Sequence, residues 1–193
     1  MIEIPSTVRG LVFDCDGTIA DTMPLHYQAW VAALGEHQVE FPEALFYELG
    51  GMPTHKIIEL LNERHGHSMP VMETAHKKEL LFEEMIPQTK PIEPIVKLIE
   101  QYTGQLPMAV ATGGFRRICE KTLTAMGLLD RFITLVCAED VQHGKPAPDI
   151  YLEAARRINV DPTLCCAFED ANLGVQSAQA AGMHVIDVRH LTR

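Results

Sequence analysis

A chain of 193 residues can bury one sizeable hydrophobic core with a small accessory unit, and is too short for two large ones. No apolar run is long enough to cross a bilayer, and the opening MIEIPSTVRGLVFD lacks the basic-then-apolar pattern of a secretory signal, so a soluble cytoplasmic protein is expected. The formal net charge of −10 repels nucleic acid and anionic lipid, excludes both as partners, and obliges an anionic substrate to be met by local positive charge.

The five cysteines, Cys15, Cys119, Cys137, Cys165 and Cys166, show neither C-x-x-C spacing nor a C-x5-R phosphate loop. Buried reduced thiols are expected, with no disulfide framework, no zinc site and no thiolate nucleophile. The nine histidines lack H-E-x-x-H or similar metal spacing.

In chain order, Val8 to Asp14 reads as a short buried strand ending in the acidic turn DCDGT. From about residue 21 to about residue 88 the periodicity is helical, with no strand signal. Leu25, Ala29, Trp30, Ala33 and Leu34 share one helix face; Ile57, Ile58, Leu60 and Leu61 follow Thr54, a candidate N-cap; Leu80, Leu81 and Met85 mark a third helix. Beyond Pro91 helices and strands alternate. A helix from Pro94 through Ile99 precedes strand Met108–Ala111, and a helix from Arg116 to Met126 ends at Gly127. Strand Phe132–Cys137, a helix behind Pro148, strand Leu164–Phe168, a helix ending at Gly182 and strand Val185–Val188 complete the series. Such alternation predicts an α/β, doubly wound (Rossmann-like) parallel sheet. The expected organisation is a core of residues 1–20 and 89–193 with a small all-helical cap inserted over 21–88.

Ligands of open parallel sheets bind at the carboxyl ends of the strands. There the sequence delivers Asp14 and Asp16, then Thr112 with Gly113 and Gly114, then Lys145, then Glu169 and Asp170. Phosphoryl transfer needs these parts: a nucleophile, neutralisation of the phosphoryl oxygens, and a proton for the leaving group. The Asp14 carboxylate can attack phosphorus, and Asp16 can pass protons. The carboxylates of Asp14, Glu169 and Asp170 repel one another unless a hard cation such as Mg²⁺ lies among them. The Thr112 hydroxyl, the Gly113 amide and the Lys145 ammonium can hold phosphoryl oxygens.

The runs DCDGT, Thr112 at a strand end, GKPAPD and FED resemble the four ordered motifs of the haloacid dehalogenase superfamily, and the likeness covers essentially the whole chain. It implies Asp14 as nucleophile, Asp16 as general acid/base, and Thr112 with Lys145 as the phosphate-binding pair. It also implies Mg²⁺ held by Asp14, the Asp16 main-chain carbonyl and Asp170, with Glu169 beside it. The segment DTMPLHYQAW, with Asp21, His26 and Trp30, is similar to the β-phosphoglucomutase-like branch. PMAVATGG, FEDANLGVQSAQAAGM and IDVRHL resemble its bacterial fructose-1-phosphatase type. Ala171, where many relatives carry serine, and the Gly113–Gly114 pair depart from that pattern.

His26, Gly51, His55, Lys56 and Arg116 are the further candidates for contact with substrate. The expected activity is a phosphatase acting on a sugar phosphate, by a monomer. A phosphomutase built on the same core is the alternative, and a receiver-like phospho-switch a remote one. No G-x-G-x-x-G follows any strand, which argues against a dinucleotide site.

Overall fold

The computed structural model describes residues 2–191, so the expected core's extreme ends, Met1, Thr192 and Arg193, lie outside the described residues. The strands are β1 (Gly10–Phe13), β2 (Ala20–Asp21), β3 (Lys90–Pro91), β4 (Met108–Ala111), β5 (Thr134–Val136), β6 (Cys165–Glu169) and β7 (His184–Asp187). Five of them form one parallel sheet in the order β5-β4-β1-β6-β7. Every residue of β1, β4 and β6 is buried, as strands covered on both faces require.

Helices α1 (Met23–Gly35), α2 (Glu43–Glu48), α3 (Thr54–His65) and α4 (Val71–Met85) follow β2, and α5 (Glu93–Tyr102), α6 (Arg116–Ala125), α7 (Asp149–Arg157) and α8 (Asn172–Ala180) alternate with the later strands. Period-two alternation divides the sheet's side chains between two layers. Leu11, Phe13 and Val110 pack with Ile95, Ile99 and Leu123 of α5 and α6, while Val12, Ala109 and Ala111 pack with Tyr151 and Ala154 of α7 and Ala178 of α8. The chain winds outward from β1 through β4 to β5, then crosses to β6 and β7 on the other side. The topological switch therefore falls at β1, which places a ligand crevice at its carboxyl end.

Between β2 and β3 the four helices α1 to α4 build a core of their own around Trp30, Leu34, Phe41, Phe46, Ile58 and Leu61. A smaller cluster of Leu25, Ala29, Phe82 and Ile86 packs onto Ile118 of α6, joining the insertion to the sheet domain. Glu83 of α4 adds ion pairs to Arg117 and Lys121 of α6. Among the described residues no helix is long and apolar enough to cross a membrane.

Four details differ from the sequence expectation. The chain enters and leaves the insertion through an antiparallel ribbon, Ala20 opposite Pro91 and Asp21 opposite Lys90, too short to show any alternation. The third sheet strand is only Thr134–Val136, because Leu129–Arg131 forms a 3₁₀ turn just before it. Thr54 opens α3 without capping it; its hydroxyl donates instead to Glu79 Oε1 at 2.7 Å. The buried stripe of α4 is Thr74, Ala75, Lys78 and Phe82, whereas Leu80 is exposed.

Helix α8 approaches β6 at Gly174, where an added Cβ would stand 1.8 Å from Glu169 Oε1. Gly174→Ala is therefore expected to destabilise the fold by about 3 kcal/mol, read by urea unfolding. Gly35→Ala, at a position with nothing within 4 Å, serves as the control and leaves stability unchanged or slightly raised.

Candidate active site

The carboxyl end of β1 lies under the helical insertion, and a cavity of about 140 Å³ separates the two. Asp14, Asp16, Thr112, Gly113, Lys145, Glu169 and Asp170 line its sheet side, as the strand-end argument requires. Gly17 makes the tight turn possible: its φ is +81°, and a Cβ there would meet Asp170 Oδ2 at 2.1 Å.

Lys145 organises the floor of the cavity. Its ammonium donates to Asp14 Oδ1 at 2.6 Å and to Glu169 Oε1 at 2.5 Å, and all three side chains are buried. Ser177 of α8 donates to the Ala147 carbonyl at 2.5 Å and pins the loop that carries the lysine. Glu169 is the most fully engaged carboxylate. Oε1 also accepts from Tyr151 Oη at 2.7 Å, and Oε2 accepts from the amides of Asp170 and Ala171 at 3.1 and 3.3 Å. The Gly114 amide donates to Thr112 Oγ1 at 3.0 Å, which leaves the hydroxyl proton free to point elsewhere.

One oxygen from each of Asp14, Glu169 and Asp170 lies within 4.8 Å of the others. Burial, opposed by Lys145 and reinforced by Glu169 and Asp170, holds the Asp14 carboxyl well above the usual carboxylate range. Burial and the charge of Glu169 push Asp170 up to about 7. One lysine thus leaves the cluster short of positive charge, and an all-oxygen donor set of this kind fits a hard divalent cation. Asp14 and Asp170 retain the most free coordinating capacity, since the oxygens of Glu169 are occupied.

On the cap side a second network reaches Asp16. Its Oδ1 accepts from Thr22 Oγ1 at 2.8 Å and lies 3.3 Å from His26 Nε2. Lys78 Nζ is 2.9 Å from His26 Nδ1. A charged ammonium only donates, so Nδ1 accepts and the ring proton sits on Nε2, aimed at Asp16. His26 is further clamped by stacking on Phe82, with ring centroids 3.7 Å apart. Burial and then Lys78 hold the imidazole below its ordinary pKa, in the neutral form. Burial works to raise the Asp16 carboxyl, but hydrogen bonds from His26 and Thr22 outweigh it and hold it low. The contact with Cys119 acts to lower the Cys15 thiol, yet burial and the flanking carboxylates carry it up to about 11, consistent with an inert, buried cysteine.

His26 and Gly51 line the cavity, as expected of substrate-side residues. His55, Lys56 and Arg116 are not among its described lining residues. Lys56 pairs with Glu59 at 2.7 Å, and Arg116 turns toward β5, reaching Asp140 at 2.5 Å and the Leu135 carbonyl at 3.1 Å. Lys78, Glu79, Thr22 and Tyr151 were missed by the sequence reading. Lys78 left a signal there: it lies on the same helical face as Thr74, Ala75 and Phe82, and a lysine on a buried stripe requires a partner.

The sequence pattern of the haloacid dehalogenase-like hydrolases matches residues 8–182. A fructose-1-phosphate phosphatase of Escherichia coli is 39% identical over 182 residues, covering 94% of this chain and 97% of its own. A β-phosphoglucomutase of Bacillus subtilis is 27% identical over 94% of this chain and 83% of its own. The crystal structure of a β-phosphoglucomutase from Clostridium difficile superposes with a TM-score of 0.82 at 22% identity, over 93% of this chain and 84% of that one, and shares the fold. Motif order, cavity and these likenesses agree, and the chain belongs to the haloacid dehalogenase-like hydrolases.

Proposed function

We propose that the protein is a Mg²⁺-dependent phosphatase of small sugar phosphates that works through an aspartyl-phosphate at Asp14. The observation that carries this reading is the Lys145 clamp: Asp14 Oδ1 is fixed at 2.6 Å from the ammonium, so Oδ2 remains as the attacking atom. Asp14 Oδ2 forms a bond to phosphorus as the bond to the sugar oxygen breaks, and that oxygen takes a proton from Asp16. A dianionic phosphoryl group arriving beside Asp16 raises its pKa and so loads the acid. After the sugar alcohol leaves, Asp16 removes a proton from water; the water oxygen attacks phosphorus, and Asp14 is regenerated with release of phosphate.

The Thr112 hydroxyl and the Gly113 amide orient the phosphoryl oxygens, and Lys145 offers its remaining proton to them. Asp14, the Asp16 main-chain carbonyl and Asp170 would hold Mg²⁺, which when bound supplies the charge that the cluster lacks and stabilises the phosphoryl oxygens. Glu169 positions Lys145. The insertion, taken as residues 21–88, serves as the cap that excludes water and carries the His26–Lys78 arm to Asp16. Fructose 1-phosphate is the first substrate to test, since the 39%-identical relative is named for it. The phosphomutase reading rests on the 27%-identical relative and uses the same core residues, so phosphate release and isomer formation are measured together. We take the protein to be a cytoplasmic monomer.

Asp14→Asn is expected to cut Mg²⁺-dependent phosphate release from sugar monophosphates at least about a thousandfold while the protein stays folded; activity that survives refutes the covalent route. Lys78→Met removes the group that fixes the His26 tautomer, and kcat should fall by about ten- to a hundredfold with an altered pH–rate profile. An unchanged profile would show Lys78 to be structural only.

The raised Asp170 carboxyl gives a stability test. In the metal-free fold it binds a proton more tightly than in the unfolded chain, so its contribution is favourable at low pH and is lost as pH rises through about 7. Asp170→Asn should therefore raise the melting temperature of the metal-free protein by a few degrees at about pH 8, and by much less at about pH 5, in thermal scans.

A further inference from the structure

The side chains around the cavity are unevenly charged. Five carboxylates line it, those of Asp14, Asp16, Glu79, Glu169 and Asp170, against the two ammonium groups of Lys78 and Lys145. Both ammonium groups are committed: Lys145 to Asp14 and Glu169, Lys78 to His26 and to Glu79 Oε1 at 3.1 Å. No arginine is among the described lining residues. The insertion's other contributions to the wall are mostly apolar, including Phe46, Leu49 and Ile57.

Glu79 stands out within that wall. It projects from α4 on the cap side, 13% exposed, and its Oε1 is held by Thr54 at 2.7 Å and by Lys78. Burial acts to raise its carboxyl, but Lys78 and Thr54 outweigh that and hold it below the usual range, so it faces the cavity as an anion. An ionised carboxylate only accepts hydrogen bonds. It suits the hydroxyl donors of a neutral polyol and opposes a phosphate or carboxylate.

We propose that the site selects phosphomonoesters whose far end is uncharged, with Glu79 as the specificity-determining residue that rejects a second anionic group. The inference rests on the phosphatase reading and adds to it. It carries a consequence for the reaction's outcome. A transfer between two hydroxyls of one sugar that passes through a bisphosphorylated sugar requires the cavity to hold phosphate at both ends. The wall around Glu79 opposes that species, which disfavours this route relative to attack by water.

The test compares kcat/KM for two matched pairs, fructose 1-phosphate with fructose 1,6-bisphosphate and glucose 6-phosphate with 6-phosphogluconate, in wild type and Glu79→Gln. Glutamine keeps an oxygen for Thr54 and removes the charge. Wild type should favour the member of each pair with one anionic group, and Glu79→Gln should narrow that preference about tenfold, through KM for the member with two. Met52→Arg, which leaves Glu79 in place and adds the missing cation to the cavity wall, should narrow it in the same direction.

Equal use of both members of a pair by wild type overturns the proposal, and so does a preference that neither variant changes. No phosphate release from any of the four esters overturns the phosphatase reading itself, and the proposal falls with it.

Discussion

Two buried carboxylates, Asp14 and Glu169, share one ammonium group with the half-buried Asp170 beside them, and the rest of the structure follows from the need to assemble and hold that imbalance. Asp14 directly follows β1, Glu169 ends β6, Asp170 follows it, and Lys145 lies on the loop between β5 and α7. Left in water these charges would be fully hydrated; buried, they persist because each is tied into the scaffold by a separate contact. Tyr151 and two backbone amides hold Glu169, Ser177 holds the lysine's loop, and Gly174 lets α8 come close enough to close the set. The parallel sheet matters to function because it brings four chain segments, distant in sequence, to one edge at the topological switch.

The insertion is coupled to this centre by chemistry as well as by shape. Asp16 belongs to the sheet domain, but the groups that set its charge, Thr22, His26 and Lys78, begin at the foot of the insertion and run up to α4. The charge state of Asp16 therefore depends on α1 and α4 being seated. The cluster of Phe82 and Ile86 on Ile118, together with the ion pairs of Glu83, seats them. On the proposed function, an insertion that carries His26 and Lys78 to Asp16 would tie its seating to the state of the acid/base group as well as to exclusion of solvent.

Much of this was legible in the chain because the signals were local and repeated. Short apolar runs alternating with helical periodicity specified the doubly wound sheet, and acidic or small polar residues at the ends of the runs marked the crevice. Residues whose roles depend on partners far away in sequence were harder to see. Tyr151 reads as a core aromatic on α7 until Glu169 is placed beside it. Lys78 is hidden when the helix is phased on Leu80, Leu81 and Met85, because a lysine between Lys77 and Glu79 then reads as part of a solvated face. His55, Lys56 and Arg116 show the opposite case: basic residues near glycine loops look like anion contacts, but two of them find nearby carboxylates, Lys56 pairing with Glu59 and Arg116 with Asp140. Composition cannot distinguish a cation that faces a cavity from one that faces its own helix.

On the proposed covalent route, the same crowding that costs stability would make the site reactive. A carboxylate in a relaxed, solvated setting is a poor nucleophile toward a phosphate dianion, because both carry negative charge and both are hydrated. Here burial has already stripped water from Asp14, Lys145 has fixed its orientation, and an electropositive partner is required by the cluster's own charge. The unfavourable part of the encounter between two anions is thus met in folding the protein, before substrate arrives. A chain of net charge −10 gathers five carboxylates around a single cavity, and both lysines that line it are already paired with groups of the protein itself.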